Sequence, residues 1–264
     1  RDSITWLLSA RFDKNSDFDD IVTGRASIAW DVSVETTLSA NIGTGQKAPT
    51  FIERYGYFPG QFAGNPDLKP EQSVSYDIGI QQRIASSASI QIAVFRQTVE
   101  DEIDGFVFDP ETSLFTAKNL DTTSKRSGVE VGARWAVSEH LDLSMNYTYT
   151  NSTDNGSTEL RRPRHAGNAT MDANFLEGRA RLTLVADYGG TRQDIYFPPW
   201  PEPSEIVTLD SYWLLDLTAQ YQATDAIKLF VRASNLLDTD YEQVYGYNTP
   251  GRAIYGGVEV GFGG

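Results

Sequence analysis

Residues 253–262 read Ala253-Ile254-Tyr255-Gly256-Gly257-Val258-Glu259-Val260-Gly261-Phe262. Ile254, Val258, Val260 and Phe262 share one parity, and Tyr255, Gly257, Glu259 and Gly261 share the other. A period of two is the signature of a strand. One face is apolar and ends on an aromatic ring, while the other is small or charged. A soluble sandwich would turn the apolar face inward. An outer-membrane barrel turns the same face toward lipid and the polar face toward its lumen. The rest of the chain decides between them.

Working back from this stretch, the alternation recurs about twelve times. The cleanest instance sets Leu141, Leu143, Met145, Tyr147 and Tyr149 against Asp142, Ser144, Asn146, Thr148 and Thr150. The first strand sets Ile4, Trp6, Leu8, Ala10 and Phe12 against Thr5, Ser9 and Arg11. Further strands are expected at about 21–32, 34–43, 72–84, 88–108, 115–137, 164–175, 179–192, 209–222 and 227–235. The connections alternate in length. Those after the second, fourth, sixth, eighth and tenth strands are short, and those after the odd strands are longer. A sandwich has no reason to sort its loops this way, whereas a bacterial outer-membrane barrel does, with short periplasmic turns and long extracellular loops. Trp6, Trp30, Trp135, Tyr149, Trp213 and Tyr221 fall near strand ends, where aromatic girdles belong. The expected fold is therefore all-β, an antiparallel transmembrane β-barrel.

Composition agrees. At 264 residues the chain suits one large all-β domain or barrel. Mean hydropathy is -0.37. No apolar run reaches about 18 residues, so no transmembrane helix is expected; alternating barrel strands average out as polar, so this does not count against a barrel. Cysteine is absent, which removes disulfide frameworks and thiolate metal sites. The net charge of -14 excludes a nucleic-acid partner, which needs a basic footprint. The chain opens on Arg1-Asp2-Ser3-Ile4 without an initiator Met, as a processed secreted protein or a fragment would.

Three segments carry a family resemblance. Gly45-Gln46-Lys47-Ala48-Pro49-Thr50-Phe51 with Glu53, then Gly64-Asn65-Pro66-Asp67-Leu68-Lys69-Pro70-Glu71 before a strand, and Asn235-Leu236-Leu237-Asp238-Thr239-Asp240-Tyr241 before the last strand resemble TonB-dependent outer-membrane receptors. The run Val244-Tyr245-Gly246-Tyr247-Asn248-Thr249-Pro250-Gly251-Arg252 is most similar to the cobalamin transporter branch. The resemblance implies that residues 1–264 are the C-terminal portion of a 22-stranded receptor barrel. It places the chain in the outer membrane of a Gram-negative bacterium, with the plug and the TonB-contacting N-terminal segment outside the chain. The implied partners are TonB through that segment, the barrel-assembly machinery, outer-membrane lipid and lipopolysaccharide, and a scarce large ligand, cobalamin or a siderophore-type metal chelate. No cofactor is implied. The family usually ends on an aromatic residue, whereas Gly263-Gly264 follow Phe262 here.

The aromatic loops are the candidate ligand contacts: Phe51, Tyr55, Tyr57, Phe58 and Phe62, then Tyr196, Phe197 and Trp200, then Tyr241, Tyr245 and Tyr247. Aromatic side chains give large contact area at small entropic cost. Arg161, Arg162, Arg164 and His165 are candidates for lipid phosphate or an anionic ligand. Residues 64–71 read as architecture, since their two prolines fix φ and remove amide donors, and residues 235–241 read as a turn at the outer rim, with Asn and Asp able to bond their own backbone. The acidic groups at Asp17, Asp19 and Asp20 and at Glu100, Asp101, Glu102 and Asp104 match no EF-hand spacing and read as solvated rim. Catalysis has little to stand on, with His140 and His165 expected at opposite barrel ends. The rival readings are a self-closed twelve-stranded passive channel and an outer-membrane phospholipase.

Overall fold

The computed structural model describes residues 3–18, 20–154, 156–199 and 201–261. The elements are β1 (Ser3–Asp13), β2 (Ile21–Asp31), β3 (Thr36–Lys47), α1 (Phe51–Tyr55), β4 (Glu71–Ala85), β5 (Ala88–Glu100) and β6 (Ile103–Asp109). There follow β7 (Leu114–Asn119), β8 (Ser124–Ser138), β9 (Leu141–Asp154), β10 (Ser157–Thr158), β11 (His165–Phe175) and β12 (Ala180–Gly189). The last are β13 (Arg192–Tyr196), β14 (Glu205–Leu209), β15 (Tyr212–Thr224), β16 (Ile227–Ser234) and β17 (Ala253–Val260). The main sheet follows the order β1-β2-β3-β4-β5-β8-β9-β11-β12-β15-β16-β17, twelve strands along one path, with the two-residue β10 beside β9. The pairs β6–β7 and β13–β14 form small separate sheets. The expected twelve strands are this path, and the other strands lie in its long connections.

The chain divides into two compact units. The first comprises Arg1–Ile80, Ala93–Gly128 and Asn151–Thr158, and the second Gln81–Ile92, Val129–Thr150 and Glu159–Gly264. In the first unit the antiparallel register carries apolar residues across strands in continuous rows. Ile4 faces Trp30 and Trp30 faces Leu38; Trp6 faces Ile28; Leu8 faces Ala26 and Ala26 faces Ile42. All of these but the half-buried Ala26 are exposed, Trp6 at 69% and Leu8 at 68%. The opposite parity is polar and hydrogen-bonded: Asn41 donates to Asp77 at 2.6 Å and Thr37 to Asp31 at 2.7 Å. A sheet with its apolar face outward and its polar face satisfied within is built for lipid.

The second unit repeats the arrangement. Leu143, Met171, Leu184, Leu217, Ala233 and Ile254 form one row across β9, β11, β12, β15, β16 and β17. Two aromatic rows bracket it. Tyr147, Gly167, Tyr188 and Trp213 lie in register toward the long-loop end, and Phe175, Ala180 and Tyr221 toward the short-turn end. Trp213 and Tyr221 stand eight positions apart on β15. At about 3.3 Å per residue this is roughly 26 Å along the strand, or about 20 Å once tilted, close to the apolar band of an outer-membrane barrel. On the polar parity Asp172 accepts from Thr183 at 2.6 Å and from Arg181 at 2.9 Å.

Four boundaries differ from the sequence-based expectation. The strand expected over 88–108 ends at Glu100, because Asp101 takes φ 53°, and the chain restarts as β6. The strand expected over 115–137 is β7 and β8. In both cases β6 and β7 pair with each other rather than extending the sheet. The strand expected over 179–192 stops at Gly189. Gly190 then donates its N–H to His165 O at 2.8 Å, where a Cβ would stand 2.6 Å from that oxygen. Leu209 belongs to β14, not to the strand that follows. The single turn α1 had no periodicity to announce it. Phe262, Asp19 and Trp200 lie outside the described residues.

Candidate functional site

Short turns close one end of each unit. The Leu176-Glu177-Gly178 turn holds three successive positive φ values of 51°, 57° and 84°. The long connections gather at the other end, and each unit folds its own into a packed body.

In the first unit, residues 48–70 fold against the β6–β7 hairpin. Thr50 and Glu53 form a reciprocal capping box: the Thr50 hydroxyl accepts from Glu53 N at 3.2 Å, and the Glu53 carboxylate accepts from Thr50 N at 2.6 Å. Gly56, at φ 73°, ends the helix. Gly64 then packs so closely that a Cβ would lie 2.4 Å from Gly56 N. Asn65 ties the fold-back together. Its Oδ1 accepts from Asp67 N at 3.1 Å, its Nδ2 donates to Ala117 O at 2.9 Å, and its backbone N–H donates to Glu53 O at 2.8 Å. Asn119 answers from β7, accepting from Lys69 N and donating to Lys69 O and Asp101 O. Glu71 holds the stem, pairing with Lys47 at 2.8 Å and accepting from Ile103 N at 3.1 Å. The core of this body is Phe62, Leu68, Ile103 and Ala117 with Phe115 against them. Phe106 stacks on Phe115 at 4.1 Å and on Phe62 at 6.3 Å.

In the second unit the centre is polar. Asp194 on β13 has a fully buried side chain. Its Oδ1 accepts from Arg161 Nε at 2.7 Å and Ile195 N at 2.8 Å, and its Oδ2 accepts from Tyr245 N at 2.8 Å. Burial alone would raise the pKa of this carboxyl. The bonds from Tyr245, Ile195 and Arg161 outweigh burial, and the pKa lies below the ordinary value. One carboxylate thus joins three long connections, at residues 159–164, 190–211 and 235–252. Asn235, at φ 49° and buried, fastens the last of them: its Nδ2 donates to Thr239 O and Pro250 O, and its Oδ1 accepts from Thr239 N. Asp238 accepts from Arg252 N at 2.9 Å. Tyr212 and Tyr241 pack at a 44° tilt with ring centroids 4.6 Å apart, and the Arg192 guanidinium carbon lies over the Tyr212 ring, 5.0 Å from its centroid.

Comparison with known proteins follows the same lines. The family model described as "TonB dependent receptor-like, beta-barrel" matches residues 1–236. The chain belongs to this family. It is 32% identical to the vitamin B12 transporter BtuB of Vibrio vulnificus, over 93% of this chain and 39% of that protein. It is 30% identical to the BtuB of Photobacterium profundum, over 94% and 39%. The crystal structure of the siderophore receptor PirA from Acinetobacter baumannii superposes with a TM-score of 0.82 at 21% identity, over 98% of this chain and 44% of that one. The chain therefore spans about two fifths of the length of the proteins it matches. As a TonB-dependent receptor barrel region it resides in the outer membrane, with its apolar parity toward lipid.

Within this family member the aromatic residues singled out in the sequence fall into two groups. Phe51, Tyr55, Tyr57, Phe58, Phe197 and Tyr247 are well exposed, and Tyr245 is partly so. Phe51 stacks on Tyr55 at 6.2 Å, Tyr57 meets Phe58 edge-on at 5.1 Å, and Tyr196 lies 5.2 Å from Tyr245. Phe62 is different: it is buried at 9% in the loop core and holds the body together. Tyr241 packs at a tilt against Tyr212. His165 sits between Tyr147 and Tyr149 on the apolar parity, with the Tyr147 hydroxyl 2.7 Å from its Nδ1. Residues 64–71 and 235–241 are both tied by short-range amide bonds, Asn65 to Asp67 N and Asn235 to Thr239. Sequence reasoning missed Asp194 and Arg192. The signal was two charged residues at i and i+2 within residues 192–196, a stretch otherwise apolar or amide enough to make a short strand.

Proposed function

We propose that this chain is the C-terminal barrel region of a receptor for TonB-dependent uptake of a scarce large ligand, a cobalamin or a siderophore-type metal chelate. The outer loops bind the ligand; no chemistry is performed on it. The observation carrying this reading is that exposed aromatic side chains stand on loop bodies that are themselves packed and hydrogen-bonded. Phe51, Tyr55, Tyr57 and Phe58 stand on the first body, and Phe197, Tyr245 and Tyr247 on the second. Rigid aromatic surface captures a large amphipathic ligand without paying to order a loop. The names of the matched relatives support the ligand class. TonB, engaged by a segment outside this chain, supplies the energy that moves a plug and releases the ligand inward. The barrel-assembly machinery, lipid and lipopolysaccharide are the remaining partners.

The test is binding of cyanocobalamin and of ferric siderophores to the full receptor in detergent, with uptake measured in cells with and without TonB. Tight binding of one class, weakened about tenfold or more by Tyr245→Ser with Tyr247→Ser, is the expected result. Absence of binding to either class, or uptake independent of TonB, would overturn the reading.

A further inference from the structure

Arg192 opens β13 in the second unit and is buried, at 8% exposure. Its Nε and Nη2 are both buried, and among the described residues neither has a hydrogen-bond partner. These two nitrogens lie on one edge of the guanidinium, the edge that presents two parallel N–H donors. Asp194, two positions along the same strand, already accepts from Arg161, Ile195 N and Tyr245 N, and makes no bond to these nitrogens. The guanidinium carbon lies over the ring of Tyr212, 5.0 Å from its centroid, and Tyr212 is held in turn by Tyr241 and by Gln243, which donates to its hydroxyl at 3.1 Å. The cation therefore packs against an aromatic ring while its donor edge is unsatisfied. An uncompensated buried guanidinium is costly, and buried charged donors are almost always paired.

We propose that Arg192 is an oxyanion-binding residue. Its Nε and Nη2 take two oxygens of a carboxylate or phosphate group on the ligand that the receptor captures. Side-on bidentate pairing with a carboxylate or phosphate is the recognition this edge is shaped for, and lysine cannot reproduce it. This rests on the receptor reading above, in that the ligand passes the loop end of the second unit. It goes beyond that reading by assigning an anionic group to the ligand and a residue to that group.

The experiment uses the full receptor in detergent with inorganic phosphate and citrate as the added anions, followed by calorimetry, in wild type, Arg192→Lys and Arg192→Met. Wild type is expected to bind at least one of the two. Arg192→Met should weaken that binding about ten- to a hundredfold, as for loss of a charge-assisted pair. Arg192→Lys should fall between them, since it keeps the charge and loses the fork. Heat-modifiable migration on gels checks that each variant is folded, and Arg192→Lys carries the test if Arg192→Met is not. Equal anion binding by folded wild type and variants overturns the proposal. So does a wild type that binds neither anion while Arg192→Met loses thermal stability, because the partner is then an acid of the receptor itself. Uptake of cyanocobalamin and ferric siderophores, measured in parallel, separates the two readings. Lost anion selectivity with uptake intact breaks only this one, and uptake independent of TonB breaks only the receptor reading.

Discussion

The two loop bodies solve one problem by opposite means. Each must hold a long connection in a fixed shape at the end of a sheet. The first does so with an apolar core, Phe62, Leu68, Ile103 and Ala117, dressed with amide bonds from Asn65 and Asn119. The second does so with one buried carboxylate, Asp194, that gathers donors from three segments. An apolar core tolerates shifts in pH and salt, because burial of hydrocarbon carries no charge. A buried ionic node is more directional, and it fails when its charge is removed. Different conditions and different mutations should therefore loosen the two bodies.

The largest effect is expected from Phe62→Ala, which empties the centre of the first body. It should cost about 3 kcal/mol of local stability. Hydrogen exchange at the Ala63 and Phe115 amides, which donate to Phe115 O and Gln61 O on either side of Phe62, should rise accordingly, while exchange at Tyr245 stays unchanged. Asp194→Ala is next. It strands the Ile195 and Tyr245 N–H groups, at about 2 kcal/mol. The half-exposed Arg161 side chain adds little to this, being screened by solvent. Exchange at Tyr245 should rise and exchange at Phe115 should not; equal loosening of both bodies would erase the contrast drawn here. Thr50→Ala removes the cap of α1 for about 1 kcal/mol, read as faster exchange at Glu53 N with a smaller change at Asn65 N.

Acid below the ordinary carboxylate range should give the smallest and most selective effect. The folded Asp194 carboxyl titrates below its unfolded value of about 3.9, so its contribution is full above that pH. It fades as pH falls through the lowered folded value, where protonation removes the charge-assisted bonds. Exchange at Tyr245 should quicken only below about pH 4, measured against that unfolded value, and exchange at Phe115, beside the apolar core of the first body, should not follow. No change at Tyr245 across that range would mean that Asp194 is not what holds the second body.

The regular part of the fold was readable from local pattern. Ile4, Trp6 and Leu8 alternate with small or polar residues, and the sheet places them on its apolar face. The sorting of connections into short and long holds along the strand path. Where the pattern failed, it failed at the long connections. Residues 100–120 looked like extensions of two flanking strands because Val107, Phe108 and Phe115 have strand-forming side chains, and local propensity cannot say which sheet a strand joins. The aromatic residues illustrate the same limit: nothing in their own neighbourhood separates Phe62, which is buried, from Phe58, which is exposed.

What the sequence by itself determined is the ladder: twelve strands, their lipid parity, their aromatic borders and the family. A period of two is set by backbone geometry within a few residues, so it is visible without knowing any partner. Only the tertiary structure decided how the loops are built. Their decisive bonds join positions far apart in the chain, Asn65 to Ala117 at a separation of 52 and Tyr245 to Asp194 at 51. Such a bond leaves no periodic trace, because the side chain that satisfies a buried donor or acceptor is chosen by where the chain returns, not by what lies beside it.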